Sequence, residues 1–321
     1  MAVKTCIPFE TLCALCEPFR IGRVTAAQGI GRGNVQTNYA LETENGKYVF
    51  RLYENRTAEQ VHFELETLCV LAGKRFPCPK PRIAKNAAIG EYMGKPFALF
   101  HFVDGAHAQE WNDEKRKSAA RAAAWLSLLM NGFRPENTPE RWNYGPQLCG
   151  RLAREYAEKY GKPEKLRWYL EELSCLELPG DLPMGVCHAD WDIGNLFFDG
   201  DKVSALLDFD DANYTYAAYD LAAQIDAFVP GFRHDTWQDF APGDEIVDLR
   251  QAKMLASAYQ QVRPLQEIEK KHLFDLVKLT VLIDCLWFFG RGEGDFYEKR
   301  KIDALDRFGR ERFMQEVFER Q

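Results

Sequence analysis

The residue pattern of this chain changes period part-way along, and that change limits its architecture more than any other feature. Up to about Val103 the chain is written in short β-forming runs. Asn45-Gly46, a strong hairpin dipeptide, separates Ala40-Leu41-Glu42-Thr43 from Lys47-Tyr48-Val49-Phe50-Arg51-Leu52-Tyr53. A second turn at Gly94-Lys95 precedes the apolar run Phe97 to Val103. One helical stretch interrupts these strands: from Thr57 the residues Val61, Leu65, Leu68 and Leu71 fall on one stripe, which ends before Pro77-Cys78-Pro79-Lys80-Pro81. Beyond Asp104-Gly105 the spacing turns helical. A helix is predicted from Asp113 to Met130 with Asn112 as its cap, and another from Arg151 to Cys175 with a break near Gly161-Lys162-Pro163. Further helices are expected at about 247–262, 265–289 and 301–319. Strands early and helices late predict an α+β chain of two units, a small β-rich one over 1–103 and a larger, mainly helical one over 104–321. With 321 residues, 46% of them hydrophobic, there is material for both cores.

Charge narrows the partners. The formal net charge is −7 and the lysines and arginines form no long run, so the footprint of a nucleic-acid binder is missing and a polar or cationic small molecule fits better. The apolar runs, such as Val281 to Phe289, are too short to span lipid, and Met1 to Glu10 does not read as a signal segment, so the expectation is a cytoplasmic protein without membrane contact. Nine cysteines in scattered positions argue for reduced thiols; Cys13 and Cys16 make a C-x-x-C, but Leu12 and Leu15 beside them point to a packed helix. The histidines His62, His101, His107, His234 and His272 show no metal spacing and read as ordinary surface or packed residues.

Chemistry concentrates between residues 184 and 210, where helical spacing lapses. The segment Val186-Cys187-His188-Ala189-Asp190-Trp191-Asp192-Ile193-Gly194-Asn195 carries H-x-D-x-x-x-x-N, and thirteen residues after the asparagine comes Asp208 in Ala205-Leu206-Leu207-Asp208-Phe209-Asp210. Such residues also occur in ordinary turns and caps, and Asp199-Gly200 is itself a turn signal. Here they are ordered as apolar strand, polar loop, apolar strand, turn, apolar strand and acidic cluster, the order that a catalytic loop and metal-binding hairpin require. Phosphoryl transfer to a hydroxyl needs a carboxylate to take or orient the proton, and oxygen ligands for Mg²⁺. Asp190 suits the first task, Asn195 and Asp208 the second. Upstream, Gly29, Gly31 and Gly33 would let backbone N–H groups approach phosphates, although a ligand-free β turn has the same composition.

The segments HADWDIGN, LLDFDDA and Tyr219-Asp220-Leu221-Ala222 together resemble the aminoglycoside phosphotransferase and choline kinase superfamily, over nearly the whole chain. Within it, Gln36-Thr37-Asn38-Tyr39, Val49 to Glu54 and Ala258 to Leu265 look most like the homoserine kinase branch. The resemblance implies a bilobal protein-kinase-like fold with ATP in the cleft. It implies that Arg51 contacts the α and β phosphates, that Glu64 pairs with Arg51, and that Asp220 braces the catalytic loop. An exposed strand arginine and a solvated glutamate are the plain alternative, with Glu66 close by. The strand Phe97 to Val103 would supply the hinge that receives adenine, with Phe100 and Phe102 as candidates to sandwich its ring; alternating aromatics also serve as core. Trp191-Asp192-Ile193 departs from the Leu-His-Pro or Leu-Phe-Pro of many relatives.

These readings converge on an ATP- and Mg²⁺-dependent kinase acting on a hydroxyl of an amino-bearing metabolite, homoserine first. Choline, ethanolamine or an aminoglycoside are alternatives with the same chemistry, and a catalytically silent nucleotide-binding module is the alternative from another class. The cluster Asp192, Asp210 and Asp211 is expected to attract the acceptor's ammonium group, and the Leu286-Trp287-Phe288-Phe289 stretch to lie in helix core. A homodimer is compatible with these expectations.

Overall fold

Tight turns build the hairpins of the first sheet by returning the chain antiparallel to itself, and the hairpins are joined across an excursion that contains a helix. The computed structural model describes residues 5–31, 35–84, 88–228, 248–292 and 299–319. Gly33 and His234 lie outside them. The chain divides into two compact units, the first made of Met1–Ala106 with Pro135–Arg141 and Ser204–Asp210, the second of the remainder.

In the first unit a helix, α1 (Phe9–Cys16), leads into five strands: β1 (Val24–Gly29), β2 (Thr37–Thr43), β3 (Gly46–Leu52), β4 (Gly90–Tyr92) and β5 (Lys95–His101), in the order β1-β2-β3-β5-β4. Both hairpin turns fall one residue earlier than expected: Glu44-Asn45 makes the turn before β3, with Gly46 opening the strand opposite Thr43, and Met93-Gly94 makes the turn between β4 and β5. The register pairs Arg51 with Asn38 on one side and Ala98 on the other, and Val49 with Phe100. Side chains alternate across a strand, so Val49 and Arg51 share one face while Tyr48, Phe50 and Leu52 share the other. That second face belongs to a buried apolar cluster with Leu12, Phe19 and Leu41, where each fully buried Leu or Phe is worth roughly 1.5–3 kcal/mol.

Helix α2 (Ala58–Gly73) starts at a reciprocal cap, in which the Thr57 side chain accepts from the Gln60 N–H and the Gln60 side chain from the Thr57 N–H. Its stripe Val61, Leu65, Leu68 and Leu71 is buried, with Glu64 beside it.

The second unit is mainly helical: α3 (Asp113–Leu129), α4 (Pro146–Tyr160), α5 (Pro163–Ser174), α6 (Tyr219–Phe228), α7 (Leu249–Gln260), α8 (Glu267–Phe289), α9 (Lys299–Phe308) and α10 (Arg310–Phe318). Asn112 caps α3 by accepting from the Lys115 N–H at 2.9 Å. The single helix expected over 301–319 is two, because Gly309 takes φ +80° between α9 and α10, a conformation that a helix interior does not allow. The apolar strand expected before the catalytic loop, β6 (Met184–Cys187), pairs antiparallel with a strand that was not foreseen, β9 (Asn213–Tyr216), with Cys187 opposite Asn213. Between them in sequence, β7 (Leu196–Asp199) and β8 (Lys202–Leu206) form a hairpin whose turn contains Gly200 at φ +59°. All nine cysteines are free thiols, Cys16, Cys149, Cys187 and Cys285 among them buried. Among the described residues no helix is long and apolar enough to cross a membrane.

Candidate active site

In the second unit the loop leaving β6 is fixed from beneath by Asp220, in the first turn of α6. Its carboxylate accepts from the His188 N–H at 3.0 Å and the Ala189 N–H at 2.9 Å. Burial raises the Asp220 carboxyl above its ordinary range, while the His188 side chain and these two amides pull the other way. His188 is fully buried, lies edge-on to Trp191 at 5.6 Å, and accepts at Nδ1 from the Asp190 N–H at 3.2 Å. Ala189 sits at φ +67°, a costly conformation for a residue with a side chain, held by these bonds.

Asp190 and Asn195 are thereby brought together. The Asn195 amide donates to Asp190 Oδ2 at 2.8 Å and to the Asp190 carbonyl at 3.1 Å. Because both bonds use the nitrogen, the Asn195 side-chain oxygen points its lone pairs elsewhere. The loop closes as a tight turn, with Asp192 accepting from the Gly194 N–H at 2.6 Å and the Asn195 N–H donating to the Asp192 carbonyl at 3.0 Å. A Cβ on Gly194 would stand 2.8 Å from Asp192 Oδ1, so a side chain there would require the Asp192 carboxylate to move from its bond to the Gly194 N–H.

The first unit gathers Arg51, Glu64 and Asp208. Arg51 Nη1 lies 2.9 Å from Asp208 and 3.6 Å from Glu64, and Nε donates to Asn38 Oδ1 at 3.0 Å. The Tyr53 hydroxyl donates to Glu64 Oε2 at 2.9 Å. Burial works against the Arg51 charge, but Asp208 and then Glu64 outweigh it and hold the guanidinium protonated. Glu64 is 1% exposed, and burial pushes its carboxyl up to about 7 against the pull of Arg51. The plain alternative of a solvated glutamate does not describe it. Glu66 instead accepts from the Glu136 N–H. Asp208 takes φ +59°, a second strained backbone in the segment.

Asp210 is where the expectation from sequence needs correction. It is 6% exposed and bound by Arg56 through Nε and Nη2, both at 3.0 Å, and by the Gln36 amide at 2.8 Å. Arg141 donates to its carbonyl and to Gln60 O. A carboxylate so engaged neutralises these groups and is not available to an ammonium ligand. Of the three acids, Asp192 is exposed but caps its own turn. Gln36, Arg56 and Arg141 were not foreseen as a group; only burial of polar side chains far apart in sequence could have shown it.

Phe100 is buried on the Val49 and Arg51 face of the sheet, and Phe102, just beyond β5, is 36% exposed with Lys47 Nζ 5.9 Å from its ring centre. Gly31 is exposed, and a Cβ there would meet nothing within 4 Å, so its space imposes no demand for glycine.

A strained, braced Asp–Asn loop and an arginine held between two carboxylates, on a β-rich unit and a helical unit, are features of the protein-kinase-like phosphotransferases. Residues 26–265 match the model of the phosphotransferase enzyme family. The homoserine kinase of Methylobacterium nodulans is 33% identical over 304 residues, 89% of each chain, and that of Rhodospirillum rubrum 30% identical over 273 residues, 84% of this chain and 81% of the other. Among solved structures, amicoumacin kinase hAmiN in complex with AMP-PNP, Ca²⁺ and Ami has a TM-score of 0.66 at 14% identity, over 96% of this chain and 94% of that one. The microcompartment-associated aminopropanol kinase has 0.58 at 16%, over 96% and 99%. The chain belongs to the phosphotransferase enzyme family. It is an ATP-dependent small-molecule kinase.

Proposed function

We propose that this kinase transfers the γ-phosphate of ATP to the side-chain hydroxyl of homoserine, with Mg²⁺ as the cofactor ion. The observation that carries the choice of acceptor is similarity to homoserine kinases, 33% identical over 89% of both chains in one case. In this reading Asp190 accepts the hydroxyl proton as the oxygen attacks phosphorus, and Asn195 holds that carboxylate in place through its amide nitrogen. Arg51 meets the phosphates, oriented by Glu64 and Asn38. Phe100 and Phe102 offer the apolar surface for adenine, and Gly31 and Gly33 the backbone approach to phosphate.

The donor chemistry fits Mg²⁺: the Asn195 side-chain oxygen and the Asp208 carboxylate are hard oxygen ligands, and few protein ligands suffice when nucleotide oxygens and water complete the shell. When bound, the ion neutralises charge developing on the phosphate oxygens. Asp208 contacts Arg51, so its carboxylate is already aimed at the group proposed to meet phosphate.

The division into nucleotide-binding residues 1–103 and catalytic residues 104–321, a cytoplasmic location and a homodimer belong to the same proposal. A coupled assay of ADP release with Mg·ATP and homoserine, choline, ethanolamine or an aminoglycoside tests the acceptor. Saturable turnover with homoserine alone is expected. Turnover of choline or an aminoglycoside without turnover of homoserine overturns it.

A further inference from the structure

A carboxylate serves as a metal ligand only if it stays aimed, and the backbone of Asp208 does not aim it unaided. At φ +59° that residue is in a conformation which a side-chain-bearing residue keeps only when its surroundings impose it. The contact with Arg51 at 2.9 Å cannot supply the constraint throughout the reaction, because Arg51 is the group proposed to turn to phosphate. The constraint lies two residues further on. Both carboxylate oxygens of Asp210 are engaged: Arg56 Nε donates to Oδ1 and Nη2 to Oδ2, each at 3.0 Å, and the Gln36 amide donates to Oδ2 at 2.8 Å. Two parallel N–H bonds from one guanidinium fix a carboxylate in orientation as well as in position. Arg141 holds the same segment by its backbone, donating through Nη2 to the Phe209 carbonyl at 3.4 Å and to the Asp210 carbonyl.

The anchors are themselves fixed. Gln36 accepts at Oε1 from the Glu54 N–H at 2.7 Å and donates to Asn55 Oδ1 at 3.1 Å, while Arg141 Nη1 donates to the Gln60 carbonyl, in the first turn of α2, at 2.9 Å. Gln36, Arg141 and Asp210 are all buried, and all of these residues belong to the first unit. Water screens surface pairs such as Arg23–Glu44 and Arg151–Glu155, which contribute little. The Arg56 and Asp210 side chains are only 14% and 8% exposed, so removing either partner leaves a buried charge that the segment must move to satisfy.

We propose that Asp210 is a positioning residue for the reaction: gripped by Arg56 and Gln36, it holds the strained Asp208 backbone so that the Asp208 carboxylate is preset as a ligand for Mg²⁺. This rests on the reading of Asp208 as a metal ligand given above. The test measures the affinity of the whole chain for the non-hydrolysable nucleotide AMP-PNP by calorimetry, from EDTA to saturating Mg²⁺. It compares the wild type with Asp208→Asn, Asp210→Asn, Arg56→Met and Arg56→Lys. Mg²⁺ should tighten binding in the wild type and do so far less in Asp208→Asn. Asp210→Asn and Arg56→Met should each need roughly tenfold to a hundredfold more Mg²⁺ for half the effect, the usual loss when a group that orients a metal ligand is removed, with affinity in EDTA within about threefold of the wild type. Arg56→Lys, which keeps the charge but not the fork of donors, should fall between, and it carries the test if Arg56→Met does not fold. Thermal midpoints in EDTA identify the folded variants. A wild-type Mg²⁺ requirement in the folded variants overturns the inference. So does an equal loss of affinity with and without Mg²⁺, which marks a purely structural pair, or a shift in Asp210→Asn alone, which makes Asp210 itself a ligand. A wild type whose AMP-PNP affinity ignores Mg²⁺, or an Asp208→Asn variant that responds as the wild type does, overturns the metal reading, and the inference with it.

Discussion

Replacing Glu64 by glutamine isolates one charge in the first unit without changing the size of the side chain. Glu64 is 1% exposed, receives the Tyr53 hydroxyl at 2.9 Å and stands 3.6 Å from Arg51. Its carboxyl rises from the ordinary 4.5 to about 7, with burial the largest cause. A carboxyl whose folded-state pKa is raised binds its proton more tightly in the folded state. The stability it contributes is complete below about 4.5 and is lost as pH climbs to about 7. At roughly 1.4 kcal/mol per pH unit, that window corresponds to about 3 kcal/mol of stability which the wild type loses and Glu64→Gln does not. Urea denaturation of both proteins without nucleotide, at pH 4.5, 6 and 8, measures it. The two curves should nearly coincide at pH 4.5 and separate by about 3 kcal/mol in favour of the variant at pH 8. A separation that stays flat, or that favours the wild type as pH rises, would show that Arg51 keeps Glu64 ionised throughout and would refute the reasoning.

Asp190→Asn should lower turnover by roughly two to four orders of magnitude with little change in Mg·ATP affinity, whereas Asp208→Asn should raise the Mg²⁺ requirement; titrations of nucleotide and Mg²⁺ beside steady-state kinetics separate them, and near-normal turnover in Asp190→Asn would sink the catalytic role. Asp220→Ala strands the His188 and Ala189 N–H groups beside a buried void, so stability should drop by about 2–5 kcal/mol, read as a shift of the denaturation midpoint at unchanged slope. Gly194→Ala places a methyl 2.8 Å from Asp192 Oδ1 and should cost at least tenfold in kcat with an unchanged fold by circular dichroism; full activity would mean the turn yields freely.

Much of the site could be read from the chain because its pieces are local. The Asp190 to Asn195 contact spans five residues and closes within one loop, so spacing alone suggests it. The caps at Thr57 and Asn112 and the turn at Gly200 follow from the same short-range rules. What periodicity missed depends on distant partners. The strand before the catalytic loop was legible, but its partner β9, a run of four about thirty residues away, was too short to register. Asp210 looked like an exposed member of an acidic run, yet Gln36 and Arg56, more than 150 positions earlier, enclose it. Trp287 stood in an apolar run that suggested core, and its exposure depends on which side of α8 its neighbours leave open.

The first compact unit is not closed by its own stretch of chain, since it includes Pro135–Arg141 and Ser204–Asp210. During synthesis the five-stranded sheet and α2 emerge first, but Arg51 and Arg56 must wait for Asp208 and Asp210. A domain made at roughly 5–20 residues per second therefore carries Arg56 without its carboxylate, and Arg51 with Glu64 alone, for about 8 to 30 seconds before Asp208 and Asp210 leave the ribosome. Cutting the gene after the sheet would not yield a miniature nucleotide binder. It would yield a nascent intermediate, frozen before its counter-charges arrive.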